Sequence, residues 1–123
     1  MDAALDSVAK SNANALFVLP DDPPTFNLRR RIIAFARERA LPLLAPYREV
    51  VEDGALMSYG ESYEDAAQGV ALYLEKVVRG TSPAELPIMQ PTRFELTVNQ
   101  KVAKELGITI PVSVLVQAGR VIE

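Results

Sequence analysis

Neither cysteine nor histidine occurs among the 123 residues of the chain. Without cysteine, the protein forms no disulfide and offers no thiolate nucleophile or zinc–thiolate site. Without histidine, it lacks the most common general base and the most common ligand of transition metals. Any catalysis would depend on carboxylates, lysine, tyrosine or serine alone, so we expect the protein not to be an enzyme and to use no metal or cofactor.

Motifs that bind phosphate or activate a serine are also missing. The chain contains neither GxGxxG nor GxxxxGK followed by Ser or Thr, and it has no GxSxG elbow. No apolar run reaches the length of about 20 residues that spans a bilayer. The first residues, MDAALDSVAK, carry two Asp and no basic region, which is unlike a signal peptide and predicts either a cytoplasmic protein or a chain without its leader.

The composition is that of a soluble globular domain, because 49% of the residues are hydrophobic and 24% are charged. A chain of this length fits one domain with its own hydrophobic core. The net charge is −3 at pH 7, and an acidic chain is poorly suited to phosphate backbones. We therefore expect no nucleic-acid partner.

Short apolar runs alternate with amphipathic stretches along the chain. The runs ALFVLP and LPLLAP contain no charge and end at prolines, which is typical of strands buried in a parallel sheet. We predict strands at 15–20, 41–46, 55–60 and 93–99, helices at 2–13, 28–39, 62–80, 100–107 and 111–118, and a turn or short helix at 47–54. This order predicts an α/β fold whose mostly parallel sheet is covered by helices on both faces.

The helix at 62–80 has the clearest boundaries and period. Ser62 and Asp65 resemble a capping box, and Gly80 suits the position after the helix. Its apolar positions recur every three or four residues and predict one apolar face, made of Tyr63, Ala66, Ala67, Val70, Leu74, Val77 and Val78.

The strand at 93–99 alternates apolar and polar residues. Phe94, Leu96 and Val98 would lie on the buried side, which predicts a strand covered on one face and placed near a sheet edge. Asn99 follows at the position of an N-cap for the next helix.

Ligands of parallel α/β proteins bind outside the carboxyl ends of the strands, so polar residues at those ends are site candidates. After the first strand, Asp21 and Asp22 would bind an amine or a divalent cation, or would only cap a turn. After the second strand, Tyr47, Arg48 and Glu49 offer a ring and two charges, and Arg48 would pair with a ligand carboxylate unless the three form a plain surface turn.

The third strand end combines hydroxyl groups, an aromatic ring and the start of a helix. An anion at the helix N-terminus and simple capping both fit these residues, which are Ser58, Tyr59, Gly60, Ser62 and Tyr63. Five arginines between 29 and 39 are spaced around a surface helix, and the net negative charge of the chain favours a solvated face over a phosphate site.

The second half of the chain contains a run of ordered motifs: SYG, a helix that ends in RG, then PAELP, QPTRFEL and NQKVAKELGITIP. From Gly54 to Pro111 these motifs resemble, without a gap, the C-terminal part of ABC-transporter substrate-binding proteins of the tryptophan/tyrosine-binding type. The segment from ALFVLPDDPPT to VVEDG is similar to the part of that family that comes before.

The resemblance implies a protein of two α/β lobes that close on a ligand, about twice the length of this chain. The chain then corresponds to one lobe of a type I periplasmic-binding-protein-like fold, with 61–92 as a helix plus a hinge crossing. By this expectation it is a fragment, a truncated reading frame or a one-lobe protein that lacks its N-terminal lobe. The implied ligand-binding residues lie at three strand ends and are Asp22, Thr25, Tyr47, Arg48, Glu49, Tyr59 and Gly60.

The function implied by the resemblance is solute binding for an ABC-type importer, outside the cytoplasm. The expected partners are a small, amino-acid-like solute, the missing N-terminal lobe and an ABC permease. The alternative is a self-contained interaction or sensory module that reuses the lobe as a homodimer and has no role in transport.

Overall fold

The structure, a computed structural model, describes residues 2–19, 26–91 and 93–123. Helices and strands alternate as predicted, apart from two successive helices before the last strand. The helices are α1 (Asp2–Lys10), α2 (Arg29–Glu38), α3 (Arg48–Glu52), α4 (Tyr63–Val78), α5 (Gln100–Glu105) and α6 (Val112–Gln117), with a 3-10 helix at Pro83–Glu85. The strands are β1 (Leu16–Phe17), β2 (Leu43–Ala45), β3 (Met57–Glu61), β4 (Phe94–Asn99) and β5 (Arg120–Ile122).

The chain divides into two compact units. The first comprises Met1–Gly60 and Glu95–Glu123, and the second comprises Glu61–Phe94. The boundaries therefore fall at the end of β3 and at the start of β4. The assignment of 61–92 to a hinge crossing between two lobes stays a prediction.

The five strands form one sheet in the order β1-β2-β3-β4-β5. The pairs β1–β2, β2–β3 and β4–β5 are parallel. In the register of β2 and β3, Leu44 lies beside Met57 and Ala45 beside Ser58. The backbone N–H of Asn99, at the end of β4, donates to the carbonyl of Leu56 at 2.8 Å. The predicted α/β class with a mostly parallel sheet is confirmed.

The core of the first unit lies between α2, β2 and α3. The apolar stripe of α2 packs here through Ile32, Ile33 and Ala36, whose spacing puts them on one face of the helix. The rest of the core is supplied by β2, by α3 and by the turn that leads into β3, through Leu43, Ala45, Val50, Val51 and Ala55.

The first strand is shorter and more exposed than predicted. Among the described residues of this stretch, which end at Leu19, the strand comprises Leu16–Phe17, and the Val18 N–H still donates to the Leu44 carbonyl at 3.0 Å. Phe17 is 60% exposed and Leu19 is 58% exposed. The prediction of a buried strand over 15–20 was therefore wrong in extent. The reason is topological, because β1 is the last strand on its side of the sheet and has one neighbour only.

Strand β4 is covered on both faces, which corrects the prediction of a half-buried strand, whereas its predicted place near a sheet edge agrees with its position beside the last strand. Thr97 and Val98 are both fully buried although neighbouring residues of a strand point to opposite faces. Phe94, predicted to be buried, is 56% exposed at the start of the strand. The edge is formed instead by β5, which the sequence analysis missed because three residues after a glycine are too short for a periodic signal.

The second unit consists of α4 and the chain that follows it. The Ser62 side chain accepts a hydrogen bond from the Asp65 backbone N–H at 3.4 Å, which confirms the predicted cap. Gly69 faces Met89, and the Tyr73 hydroxyl donates to the Pro87 carbonyl. The segment after the 3-10 helix therefore runs along one side of α4.

The predicted apolar face of α4 is largely exposed in this chain. Val70, Leu74 and Val78 are 67%, 62% and 78% exposed. The returning segment contacts α4 at Gly69 and Tyr73, and beside these contacts Ala66 and Val70 line a small cavity with Met89.

The Asn99 side chain makes two hydrogen bonds, and a shorter side chain would keep only one of them. Its Oδ1 accepts from the Val102 N–H at 3.0 Å, which caps α5, and its Nδ2 donates to the Val51 carbonyl at 3.3 Å. The residue is buried, so a missing partner would leave a polar group without a hydrogen bond.

We expect Asn99→Ala to lower the free energy of unfolding by about 2–3 kcal/mol, because both contacts are lost. Asn99→Ser keeps a capping oxygen but does not reach Val51, so we expect a loss about 1 kcal/mol smaller. Urea denaturation of the three proteins measures both differences. Equal losses for the two variants would show that the cap contributes nothing.

Candidate functional site

The ends of β2 and β3 lie side by side in the first unit. Since Ala45 pairs with Ser58 in a parallel register, the residues that follow each strand emerge at the same edge of the sheet. Pro46 and Tyr47 follow β2, and Tyr59 and Gly60 complete the same stretch of β3. We call this part of the sheet the carboxyl edge.

Gly60 contacts the backbone of Pro46 more closely than any other residue type would allow. A Cβ atom placed on Gly60 would lie 2.2 Å from the Pro46 carbonyl oxygen. Contacts below 3.0 Å do not occur for real Cβ atoms, so a side chain here would push the two strand ends apart. The glycine thus keeps the tip of β3 against the turn between β2 and α3.

Tyr47 occupies the N-cap position of α3 with an extended backbone and is half-buried. Its ring meets the ring of Phe26 edge-on, with centroids 5.8 Å apart and an angle of 84°, which is a favourable geometry for aromatic pairs. The Arg29 guanidinium lies over the Phe26 ring at 4.3 Å. An aromatic pair backed by a cation therefore lies beside the end of β2.

Arg29 is anchored rather than solvated, which corrects the prediction that the arginines of 29–39 all lie on a solvated face. Its Nε donates to the Asp53 carboxylate at 2.7 Å and its Nη1 to the Phe26 carbonyl at 3.1 Å. Arg30, its neighbour, is 81% exposed at the side chain and follows the prediction. Arg37 is also exposed but reaches Glu105 of α5 at 2.8 Å.

A chain of four alternating charges connects α3 to the two last strands. Arg48 lies 3.8 Å from Glu95 and 3.7 Å from Glu52, and Glu52 lies 3.2 Å from Arg120. Because Arg48 starts α3 directly after Tyr47, its cation lies next to the carboxyl edge. Glu49 lies in the first turn of the same helix and is half-buried.

Tyr59 projects from the exposed side of β3. It is 64% exposed, whereas Ser58 before it is 2% exposed, as expected for neighbouring residues that point to opposite faces. Its ring is therefore an exposed aromatic surface on this strand.

The structure brings five of the predicted site residues to the carboxyl edge: Tyr47, Arg48, Glu49, Tyr59 and Gly60. Asp21, Asp22 and Thr25 lie outside the described residues. Sequence reasoning missed Phe26, Arg29 and Glu95. The aromatic Phe26 directly after the predicted loop was a usable signal, but the pairing of Arg48 with Glu95 joins residues far apart in the sequence and gave none.

The described residues contain no cluster of three or more carboxylates arranged to hold a metal ion. Within the same residues, no helix is both long and apolar enough to cross a membrane.

Comparison with protein families identifies the chain. A family model described as "ABC transporter substrate binding protein" matches residues 1–122. The chain belongs to this family. A search of curated proteins finds no match.

Solved structures resemble this chain over nearly all its length. A conserved domain protein from Vibrio cholerae O1 biovar El Tor is 26% identical in sequence and has a TM-score of 0.88. The match covers 97% of this chain and 40% of that protein. An ABC domain in complex with L-Trp from Streptococcus pneumoniae is 28% identical with a TM-score of 0.86, covering 98% and 41%.

A third neighbour shares the fold. It is the ligand-free, open structure of a substrate binding protein with adhesive properties from Clostridium difficile, 23% identical with a TM-score of 0.64. The match covers 40% of the length of that protein. The chain thus spans about 40% of the length of these structures.

Replacing Gly60 tests the close contact at the carboxyl edge. We expect Gly60→Ala to lower the free energy of unfolding by about 1–3 kcal/mol, as overpacking against a backbone atom does. Gly119→Ala is the matched control, since its Cβ would meet the Glu95 side chain at 3.2 Å, and that side chain can rotate away. Denaturation midpoints that fall equally for both variants would contradict the special role of Gly60.

Proposed function

We propose that this chain is part of a solute-binding protein of an ABC-type importer, and that its carboxyl edge forms one wall of the site for a small, amino-acid-like solute. The observation that supports this most is the convergence of Tyr47, Arg48, Glu49, Tyr59 and Gly60 at one edge of the sheet. Family membership agrees with this role, and one structural neighbour is described in complex with L-Trp.

The chemistry of the edge suits a zwitterion with an apolar body. In the proposed site, Tyr47 and Tyr59 supply aromatic surface on which an apolar or aromatic side chain packs. Arg48 meets the solute carboxylate and Glu49 its ammonium group. Asp22 and Thr25, which the family resemblance places in the first loop, complete the wall.

The proposed mechanism is closure rather than catalysis. A solute that binds better between closed lobes than to one open wall shifts the equilibrium towards the closed state. The closed pair of lobes then docks on a permease at the outer side of the membrane. In this proposal the remaining wall belongs to an N-terminal lobe, and the protein works outside the cytoplasm.

The alternative is a homodimeric interaction module without a role in transport. A specific observation favours it: large apolar side chains on α4 and α6 are exposed, among them Val78 at 78% and Val116 at 79%. Exposed apolar surface of this kind marks association sites. The two functions differ in that only the first requires a solute at the carboxyl edge.

Titration of the isotope-labelled chain with L-Trp, followed by NMR amide shifts, tests the solute site. One wall without its counterpart leaves most of the ligand in water. We therefore expect a dissociation constant on the order of 1 mM or larger, and 1 mM corresponds to a binding free energy of about −4 kcal/mol. The shifts should concentrate at residues 47–49 and 58–60.

Two variants at one position serve as test and control. Tyr59→Ala should abolish the shifts because the aromatic surface is lost, whereas Tyr59→Phe keeps the ring and should retain them. L-Leu and L-Glu in place of L-Trp report whether an aromatic side chain is preferred. Shifts confined to residues outside the carboxyl edge, or none with any of the three amino acids, would contradict the proposal.

A further inference from the structure

Glu95 lies at the carboxyl edge although it belongs to β4. The backbone N–H of Asn99, at the end of β4, donates to the carbonyl of Leu56, just before β3. The end of β4 therefore lies beside the start of β3, and the start of β4, which carries Glu95, lies beside the end of β3. The Glu95 carboxylate is 3.8 Å from the guanidinium of Arg48 at that edge.

The positive charge of Arg48 is balanced within the protein. Its Nη1 lies 3.8 Å from Glu95 and its Nε lies 3.7 Å from Glu52. Glu52 also lies 3.2 Å from Arg120, so these two arginines and two glutamates together carry no net charge. Since the side chains of Arg48 and Glu95 are 29% and 30% exposed, water screens their interaction less than that of a fully exposed pair.

The backbone around Gly119 leaves room for the Glu95 side chain. A Cβ atom on Gly119 would lie 3.2 Å from Cγ and 3.6 Å from Oε1 of Glu95. The Gly119 N–H donates to the Leu96 carbonyl at 2.9 Å, which fixes the chain just before β5 against β4. Glu95 is therefore packed beside Gly119 while its carboxylate faces Arg48.

Glu49 adds a negative charge next to Arg48. It lies half-buried in the first turn of α3, and among the residues that the structure describes it forms no ion pair. Two further cations, Arg29 and Arg30, lie 2.7 and 3.7 Å from Asp53, and the Arg30 side chain is 81% exposed to water, which screens its charge. The group around Arg48 thus contains two arginines and three glutamates, an excess of one negative charge.

We propose that Glu95 determines the charge selectivity of the carboxyl edge, so that the edge accepts solutes with an ammonium group and rejects solutes with a net negative charge. This inference rests on the proposed solute site and names the class of solute that the site takes. A solute carboxylate reaches Arg48 in competition with two protein carboxylates, whereas an ammonium group meets an excess of negative charge. The preferred solute is therefore an aromatic body with a primary ammonium group, and its carboxylate adds little affinity.

Tryptamine and indole-3-propionate test the selectivity, because both contain an indole ring and they carry opposite charges. NMR titration of the 123-residue chain, followed at residues 47–49 and 58–60, gives the ratio of the two dissociation constants. We expect tryptamine to bind at least about fivefold more tightly than indole-3-propionate. Glu95→Gln removes one negative charge, which attracts the cation and repels the anion, and should shift this ratio about tenfold in favour of indole-3-propionate.

Two control variants separate the charge of Glu95 from other effects. Glu95→Asp keeps the negative charge and should keep the wild-type ratio within about twofold. Glu105→Gln removes the same charge from α5, where Glu105 pairs with Arg37 and lines a cavity at the opposite end of the sheet with Leu43 and Leu56. At that distance salt screens the charge, so this variant should also keep the wild-type ratio. Amide spectra of each variant check that the fold is unchanged.

A pair of charged nitroxides measures the charge of the edge without any bound solute. A cationic and an anionic nitroxide with the same ring relax nearby amide protons in proportion to their local concentrations, which follow the electrostatic potential. At the amides of residues 48–49 we expect the cationic nitroxide to have the larger effect in the wild-type chain. Glu95→Gln should shift the ratio of the two effects at least about twofold towards the anionic nitroxide, and Glu105→Gln should leave it unchanged at these amides.

The two measurements distinguish failure of this inference from failure of the proposed function. If the nitroxide ratio changes as expected but neither indole compound shifts the carboxyl edge, the charge selectivity is supported and the solute site is wrong. A nitroxide ratio that Glu95→Gln leaves unchanged, or that Glu105→Gln changes equally, overturns the inference whether or not a solute binds. Tighter binding of indole-3-propionate than of tryptamine to the wild-type chain overturns it as well, while the solute site itself is then supported.

Discussion

The contact between Gly60 and Pro46 determines how the carboxyl edge is built. The parallel register of β2 and β3 brings their ends together, and the absence of a Cβ lets β3 lie against the turn that starts α3. A side chain at this position would meet the Pro46 carbonyl and separate the two strand ends. Tyr47 and Tyr59 lie at the same edge because the register of β2 and β3 places the strand ends that carry them side by side.

The surroundings of this edge are held by charge and aromatic contacts from more distant elements. Asp53 at the end of α3 binds Arg29, and Arg29 in turn contacts Phe26 beneath the Tyr47 ring. Arg48 adds a link to Glu95 on β4. Rigid support of this kind lets a wall present aromatic and charged groups to a solute with little reordering, which lowers the cost of binding.

Local sequence patterns predicted most helices and strands, but they did not predict how deeply individual residues are buried or which distant residues they contact. The Asn99 and Ser62 caps follow from neighbouring residues, so the sequence was sufficient for them. The exposure of Phe17 and the burial of Thr97 depend on strand order, which periodicity does not encode. For the site, the strand ends pointed to Tyr47 and Tyr59, whereas contacts between distant residues, such as Arg29 with Asp53, became visible only in the fold.

Interstrand nuclear Overhauser effects in the labelled chain test the carboxyl edge most directly. The account predicts contacts between Leu44 and Met57, between Ala45 and Ser58, and between the α-protons of Gly60 and the Pro46 ring or backbone. A register shifted by one residue would reverse which side chains of β3 face the core. Absence of the Gly60–Pro46 contact, or cross-peaks typical of antiparallel β2 and β3, would contradict the account.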